Sequence, residues 1–161
     1  MTRRKKLLIN NAIALGIHVI MVILLWYVVL PWYMVRQMTD GSVDESVRVF
    51  LLFAVYFLYL PCGLLLRTVD KFSYLSVLSV FVGLLLVTSI CISGADYWYI
   101  PVFNPVFLSL WVLFDWGWPP ETAPAILSVP VPSLLMWFGL LIKMRMKKSK
   151  GNEETHHEAI P

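Results

Sequence analysis

The side chains that could do chemistry are concentrated in one stretch of the chain, residues 96–124. It holds three acids and no Lys or Arg, and it is rich in Trp, Tyr and Phe. Large rings could supply apolar area to an amphiphile or to a partner's transmembrane helix, while an acid orients a polar or cationic group. The residues of this hypothetical outer groove are Asp96, Trp98, Trp111, Asp115, Trp116 and Trp118. The competing interpretation is an anchor and lid at the headgroup level, which the known preference of Trp and Tyr favours.

His18 is the one ionisable residue well inside a long apolar run. An ionisable group inside a membrane is a functional hypothesis by default. The other apolar runs contain no acid at a comparable depth, so a proton relay lacks a partner. A neutral histidine bonded to a Ser or Tyr hydroxyl of a neighbouring helix accounts for it equally well, and we prefer that structural interpretation. Asn10 and Asn11 fall near the predicted membrane interface and are assigned no role.

Catalytic and metal-binding signatures give little support to an enzyme. The sequence contains no Walker loop and no GxSxG, HExxH or CxxC motif. His156 and His157 stand among glutamates near the C-terminus, but they lack the fixed ligand spacing of a structural metal site. We therefore expect a non-enzymatic protein with no metal and no cofactor. An enzyme acting on a lipid-linked substrate would need Asp96, Asp115 and Glu121 to converge, and this is the weakest alternative.

Composition indicates that lipid is the solvent for much of the chain. Of the 161 residues, 59% are hydrophobic and only 14% are charged, whereas soluble domains carry about 25% charged residues. Lys and Arg gather in two clusters, residues 3–6 and 143–150, that flank apolar runs. Such clusters act as topology signals and can meet anionic headgroups. Partner classes are therefore the lipid bilayer and a protein partner or a second copy, and not a nucleic acid.

The elements that must position these residues are membrane-spanning helices. Apolar runs long enough to cross a bilayer predict an all-α integral membrane protein, a four-span antiparallel helix bundle. The predicted spans are about residues 7–30, 49–66, 72–95 and 125–142. The outer segment 96–124 carries a short helix that begins after Pro105. Whether residues 97–114 are re-entrant, interfacial or a fifth span stays open. Residues 143–161 are predicted to form a disordered cytoplasmic tail that is first basic and then polar.

The distribution of positive charge predicts the orientation. With four spans and both termini in the cytoplasm, every Lys and Arg except Arg36 and Arg48 lies inside. A fifth span through residues 96–115 would move the C-terminal basic cluster outside, against the positive-inside rule. We therefore predict cytoplasmic N- and C-termini in a plasma membrane.

Small residues on the third span predict close helix packing. Ser76, Ser79 and Gly83 fall on one helical face, where a neighbouring helix can approach and hydroxyls can bond across the gap. We interpret this face as a packing seam within the protein, and the alternative is a contact with another subunit. The leading functional hypothesis is an accessory or scaffold subunit of a cell-envelope transport or secretion complex. The alternative is a small carrier or lipid- and amphiphile-binding protein that uses the outer groove.

Overall fold

A computed structural model describes residues 2–29, 31, 35, 57–69, 73–94, 99–107 and 122–157. Helices and short connections account for these residues, and no strand occurs among them. The helices are α1 (Arg3–Leu24), α2 (57–62), α3 (Leu78–Ser93), α4 (Tyr99–Phe103), α5 (Thr122–Ser128) and α6 (Val131–His157). A π-helical turn at Leu25–Val29 extends α1, and 3₁₀ turns at Gly63–Leu65 and Ser73–Val77 end α2 and lead into α3.

Three of the described helical segments are long and apolar enough to cross a membrane. They are Arg3–Val28, Ser73–Ser93 and Ala123–Ser149. The prediction of transmembrane helices is confirmed to this extent. The predicted second span is described only from residue 57 onward, so a count of four spans stays a prediction.

Contacts at one end of the bundle fix the directions of the helices. Asn10 of α1 bonds to Arg67, just after α2, and to Ser76, just before α3. Lys143 of α6 donates to the carbonyl oxygens of Leu64 and Leu66. The N-terminal part of α1, the end of α2, the start of α3 and residue 143 therefore lie together. We call this the basic end; α1 and α3 run away from it, and α2 and α6 run towards it.

The core lies along one stripe of α1 and the faces that meet it. Ala14, Ile17, Met21 and Leu25 are buried at helical spacing and pack into one cluster with residues of α2, α3 and α6. The opposite side of α1 is also apolar, with Leu8, Leu15, Val19, Ile20 and Ile23 exposed. A helix that is hydrophobic all round belongs in a large core or in lipid, which agrees with a membrane protein.

α2 and α6 approach each other closely at two glycines. A Cβ atom added to Gly63 would stand 2.9 Å from the Cα atom of Gly139 and would overlap the carbonyl oxygen of Met136. A Cβ atom on Gly139 would overlap the carbonyl oxygen of Leu60 in the same way. The two backbones therefore touch, as glycine permits between membrane helices.

The C-terminal part of α6 differs from the predicted disordered tail. The helix continues without a break to His157, well past the end of the apolar run at Ile142. Its added residues include Lys, Arg, Met and Glu, which are good helix formers. Because the apolar part of α6 already supplies a helical nucleus, each further residue extends the helix without a new nucleation cost.

Candidate functional site

All six members of the hypothetical outer groove lie outside the described residues. The groove of Asp96, Trp98, Trp111, Asp115, Trp116 and Trp118 therefore stays a prediction. Of the same stretch, the structure describes α4, a helical turn at 105–107 and the start of α5. These parts fix where the two flanks of the stretch sit.

The described flanks are buried against the long helices. Ile100 of α4 and Phe107 pack in a cluster with Cys91 of α3 and Ala125 of α5. Phe107 is fully buried, and Ile100 is 1% exposed. The helix predicted to begin after Pro105 is described only at 105–107, and residues 108–121 lie outside the described set. The flanks of the outer segment are thus part of the bundle's interior.

His18 connects three elements. Its Nδ1 atom lies 2.8 Å from the hydroxyl of Tyr59 in α2, and its Nε2 atom lies 3.0 Å from the carbonyl oxygen of Phe103 at the end of α4. A carbonyl oxygen only accepts, so Nε2 donates, and in a neutral ring Nδ1 accepts from the Tyr59 hydroxyl. A tyrosine hydroxyl on a neighbouring helix is the kind of partner that the structural interpretation of His18 predicts.

Trp26 binds the same end of α4. Its indole N–H donates to the carbonyl oxygen of Val102 at 3.0 Å, next to the Phe103 carbonyl held by His18. The last carbonyls of a helix have no partner within the helix. Two side chains of α1, with Trp26 in the π-helical turn, thus satisfy consecutive carbonyls at the C-terminal end of α4.

Asn104 ties α4 to α5. It is 1% exposed, and its side-chain N–H donates to the Ser128 hydroxyl at 2.8 Å. Its side-chain oxygen accepts from the Phe107 N–H, and the Ser128 hydroxyl donates to the carbonyl of Ala125. We call His18, Trp26, Tyr59, Asn104 and Ser128 the deep cluster. It fixes both flanks of residues 108–121 to the long helices.

The hydrogen bonds of the deep cluster hold helices in place and offer no route for proton transfer. The line of hydrogen bonds from Tyr59 through His18 ends on the Phe103 carbonyl, which has no proton to pass on. The Asn104 amide and Ser128 hydroxyl are likewise engaged with backbone or with each other. Buried polar groups cost free energy unless they are bonded in this way.

A second polar group, which sequence reasoning did not single out, lies at the basic end. Asn10 is fully buried; its amide N–H donates to the Arg67 carbonyl at 2.8 Å and to the Ser76 hydroxyl at 3.0 Å. Its side-chain oxygen accepts from the Arg67 N–H at 2.8 Å. One side chain thus holds the backbone after α2 and the turn before α3.

Asn11 makes the parallel contacts on the adjacent side. It donates to the Leu75 carbonyl at 2.6 Å and accepts from the Ser79 N–H at 2.8 Å. The Ser79 hydroxyl in turn donates to the backbone carbonyl of Asn11. We call Asn10 and Asn11 the amide clamp. Two adjacent asparagines in an apolar run are costly in lipid unless they are bonded, and this is the signal that could have identified them.

The predicted seam on the third span divides into two parts. Ser76 and Ser79 face α1 and bond to the amide clamp. Around Gly83, no atom of another described element comes within 4 Å of where a Cβ atom would stand. A close backbone approach is found instead at Gly63 and Gly139.

Comparisons with models of protein families, with curated proteins and with solved structures find no match. Within the described ranges, no three His, Cys, Asp or Glu side chains are grouped where they could hold a metal ion. The two polar groups and the surfaces around them are therefore the features that bear on function.

Proposed function

We propose that this protein is a non-enzymatic accessory or scaffold subunit of a transport or secretion complex in a plasma membrane. The proposal rests on how the buried polar side chains of the protein are bonded. The amide clamp and the deep cluster bond to the protein's own backbone and hydroxyls. Such bonds hold helices in a fixed arrangement, which is what a subunit that positions a partner requires.

The outward surface supports a role in assembly. Large apolar side chains are exposed on several helices, among them Leu15 of α1, Leu86 of α3 and Phe138 of α6. In a bilayer such surfaces face lipid or the transmembrane helix of another protein. Transmembrane helices associate by close packing and by interhelical hydrogen bonds. A rigid bundle with apolar faces on several sides suits a subunit that lies between partners.

The proposed topology has four spans, with both termini in the cytoplasm. The basic end supports it, because the N-terminal and C-terminal Lys and Arg clusters both belong to that end. We further propose that the 99–107 region is re-entrant. The α4 carbonyls are bound by His18 and Trp26, which lie about 18 Å and about 30 Å along α1 from Lys6. With a hydrocarbon core about 30 Å thick, these carbonyls fall inside its far half.

A second candidate is a carrier or amphiphile-binding protein that uses the outer groove. The bond between Asn104 and Ser128 favours it, because it ties the two flanks of residues 108–121 together. Non-helical backbone at membrane depth is tolerated where it is buried in protein or lines a cavity. Asp96→Asn and Asp115→Asn separate the two candidates. A carrier that orients its cargo with these acids loses transport, whereas a scaffold keeps its partner.

Purification of the full chain tests the accessory role. The tagged protein, expressed at its natural level and extracted in a mild detergent, is expected to retain one partner at a fixed stoichiometry. Leu15→Trp, Leu86→Trp and Phe138→Ala each alter one exposed face and should leave the fold intact. We expect one of them to release the partner at unchanged thermal stability. A chain that purifies alone in several mild detergents, with no partner captured by crosslinking in intact membranes, would contradict the proposal.

A further inference from the structure

An apolar groove lies between the start of α3 and the first half of α6. It has a volume of about 220 Å³ and is lined by Val77, Leu78 and Phe81 on one side and by Pro130, Leu134 and Trp137 on the other. Leu78 and Leu134 at its rim are 43% and 47% exposed, so the groove opens on the outward surface. Both walls belong to segments long and apolar enough to span a membrane. In a bilayer the groove therefore faces the hydrocarbon.

The groove points towards the basic end. The Trp137 indole donates to the Ser73 hydroxyl at 3.0 Å, which links the two walls on that side. Ser73 begins the 3₁₀ turn that precedes α3, close to the amide clamp. A molecule in the groove would thus have one end at mid-membrane, near Phe81 and Pro130, and the other near the interface at the basic end.

Two positive charges continue the line of the groove along α6. Arg145 and Lys148 follow Leu134 and Trp137 by eleven residues each, and both are exposed. Eleven residues make three helical turns to within about 20°. Each cation therefore lies on the same face of α6 as a groove residue, about 16 Å nearer the C-terminus. Lys143 is used elsewhere, because its ammonium group binds the Leu64 and Leu66 carbonyls.

We propose that this face binds an anionic phospholipid of the leaflet at the basic end. One acyl chain fills the groove, and Arg145 and Lys148 bind the phosphate. The headgroup layer extends about 5 to 7 Å beyond each side of the hydrocarbon core. Residues 145 and 148 lie about 5 and 9 Å past Ile142, at the end of the apolar run, and long basic side chains can reach back to the phosphate level. The apolar groove thus matches the acyl chain of a lipid, and the two cations match the phosphate of the same lipid.

The size of the groove favours a lipid chain over a helix. At about 30 Å³ for a group the size of water, 220 Å³ holds roughly seven methylene-sized groups. A helix with its side chains is about 10 Å wide and could place only a single side chain there. The buried Ser133 hydroxyl also lines the groove and lacks a hydrogen-bond partner. An acyl chain would leave the Ser133 hydroxyl without a partner, whereas a partner's helix could form a hydrogen bond to it. A transmembrane helix of a partner is therefore the alternative to test.

Lipid titration of the purified full chain tests the proposal. In a mild nonionic detergent, palmitoyl-oleoyl phosphatidylglycerol is expected to raise the unfolding temperature, because a ligand of the folded state stabilises it. Phosphatidylcholine with the same chains, and inorganic phosphate, should do much less. The double variant Arg145→Gln with Lys148→Gln should lower the affinity for phosphatidylglycerol about 25-fold, since each interfacial charge contributes about a factor of five. A correspondingly higher lipid concentration is then needed for the same rise in unfolding temperature. Arg4→Gln with Lys5→Gln, the same charge change at the other terminus, should leave it unchanged.

A groove-filling variant tests the acyl chain separately. Leu134→Trp should abolish the response to phosphatidylglycerol, while Leu85→Trp, at an exposed α3 position outside the groove, should keep it. Equal responses to the two lipids, or a response that survives both Arg145→Gln/Lys148→Gln and Leu134→Trp, would overturn the proposal. So would a protein partner or second copy that Leu134→Trp releases while the lipid response persists. The proposal does not depend on the accessory role, because the purified chain alone is titrated.

Discussion

Replacing Gly63 by alanine is expected to destabilise the protein by about 3 kcal/mol, at the upper end for an overpacked core. The added methyl group would overlap the carbonyl oxygen of Met136, and that oxygen belongs to the backbone of α6. A flexible side chain could move aside, but a helix backbone can yield only if α2 and α6 separate. Separation would also strain the bonds from Lys143 to the Leu64 and Leu66 carbonyls. Gly139→Ala should behave alike.

Two other helical glycines provide matched controls. Gly16→Ala and Gly83→Ala place the same methyl group where no other described element lies within 4 Å. Alanine is also the better helix former by about 1 kcal/mol, so these variants should be neutral or slightly more stable. The measurement is unfolding of the full chain in mixed micelles of a mild detergent and dodecyl sulfate. If all four variants unfold at the same mole fraction of dodecyl sulfate, α2 and α6 are not in backbone contact.

Asn10→Leu is expected to cost about 3 kcal/mol, because it removes three hydrogen bonds that each contribute about 1 kcal/mol. Two of them hold the Arg67 backbone, and the third holds the Ser76 hydroxyl. Leucine has the same branched skeleton of four side-chain heavy atoms, so the loss reports mainly the polar contacts. Proteolysis of the connection between α2 and α3 should also become faster, since Asn10 holds both sides of it.

Graded variants test whether the loss follows the bonds. Ser76→Ala removes one of the three contacts and should cost about 1 kcal/mol. Ala12→Leu adds a leucine at an exposed position of the same helix and should have little effect. The same micelle unfolding assay applies. An Asn10→Leu variant as stable as Ala12→Leu would show that the amide clamp does not hold the connection.

Properties that depend on local sequence could be predicted. The apolar runs place α1, α3 and α6, because crossing a bilayer requires a continuous stretch of apolar residues whatever its neighbours are. The first apolar run begins just after the basic cluster that ends at Lys6, and the last run ends just before the cluster that begins at Lys143. The C-terminal tail was predicted less well. Its polar composition suggested disorder, but the helix propensity of its residues and the preceding helix extend α6 to His157.

Contacts between distant residues could not be predicted in this way. The amide clamp joins positions 57 to 68 residues apart, and nothing local indicates the partner of Asn10. The small-residue pattern singled out Gly83, but a pattern does not say which face meets a neighbour. Gly63 and Gly139 make the close contact although neither has a small residue four positions away. Their contact depends on how α2 and α6 pack, which is a tertiary property.

The deep cluster adds a constraint that the sequence alone lacked. Charge counting predicts that residues 96–124 lie on the side away from the termini. In the structure, His18, Trp26 and Asn104 bind the flanks of this segment inside the bundle. Both statements hold if the chain enters the membrane after α3 and leaves it again before α5 on the same side. The orientation of the termini and of the outer segment therefore decides the topology.

Single-cysteine labelling in intact cells measures this orientation. In a chain with Cys62→Ala and Cys91→Ala, one new cysteine is introduced at a time: Thr2→Cys, Ser149→Cys, Ser42→Cys or Glu121→Cys. With a membrane-impermeant maleimide, we predict that positions 42 and 121 react in intact cells and that positions 2 and 149 react only after permeabilisation. Labelling of position 149 but not of position 2 in intact cells would contradict the four-span account and require an odd number of spans.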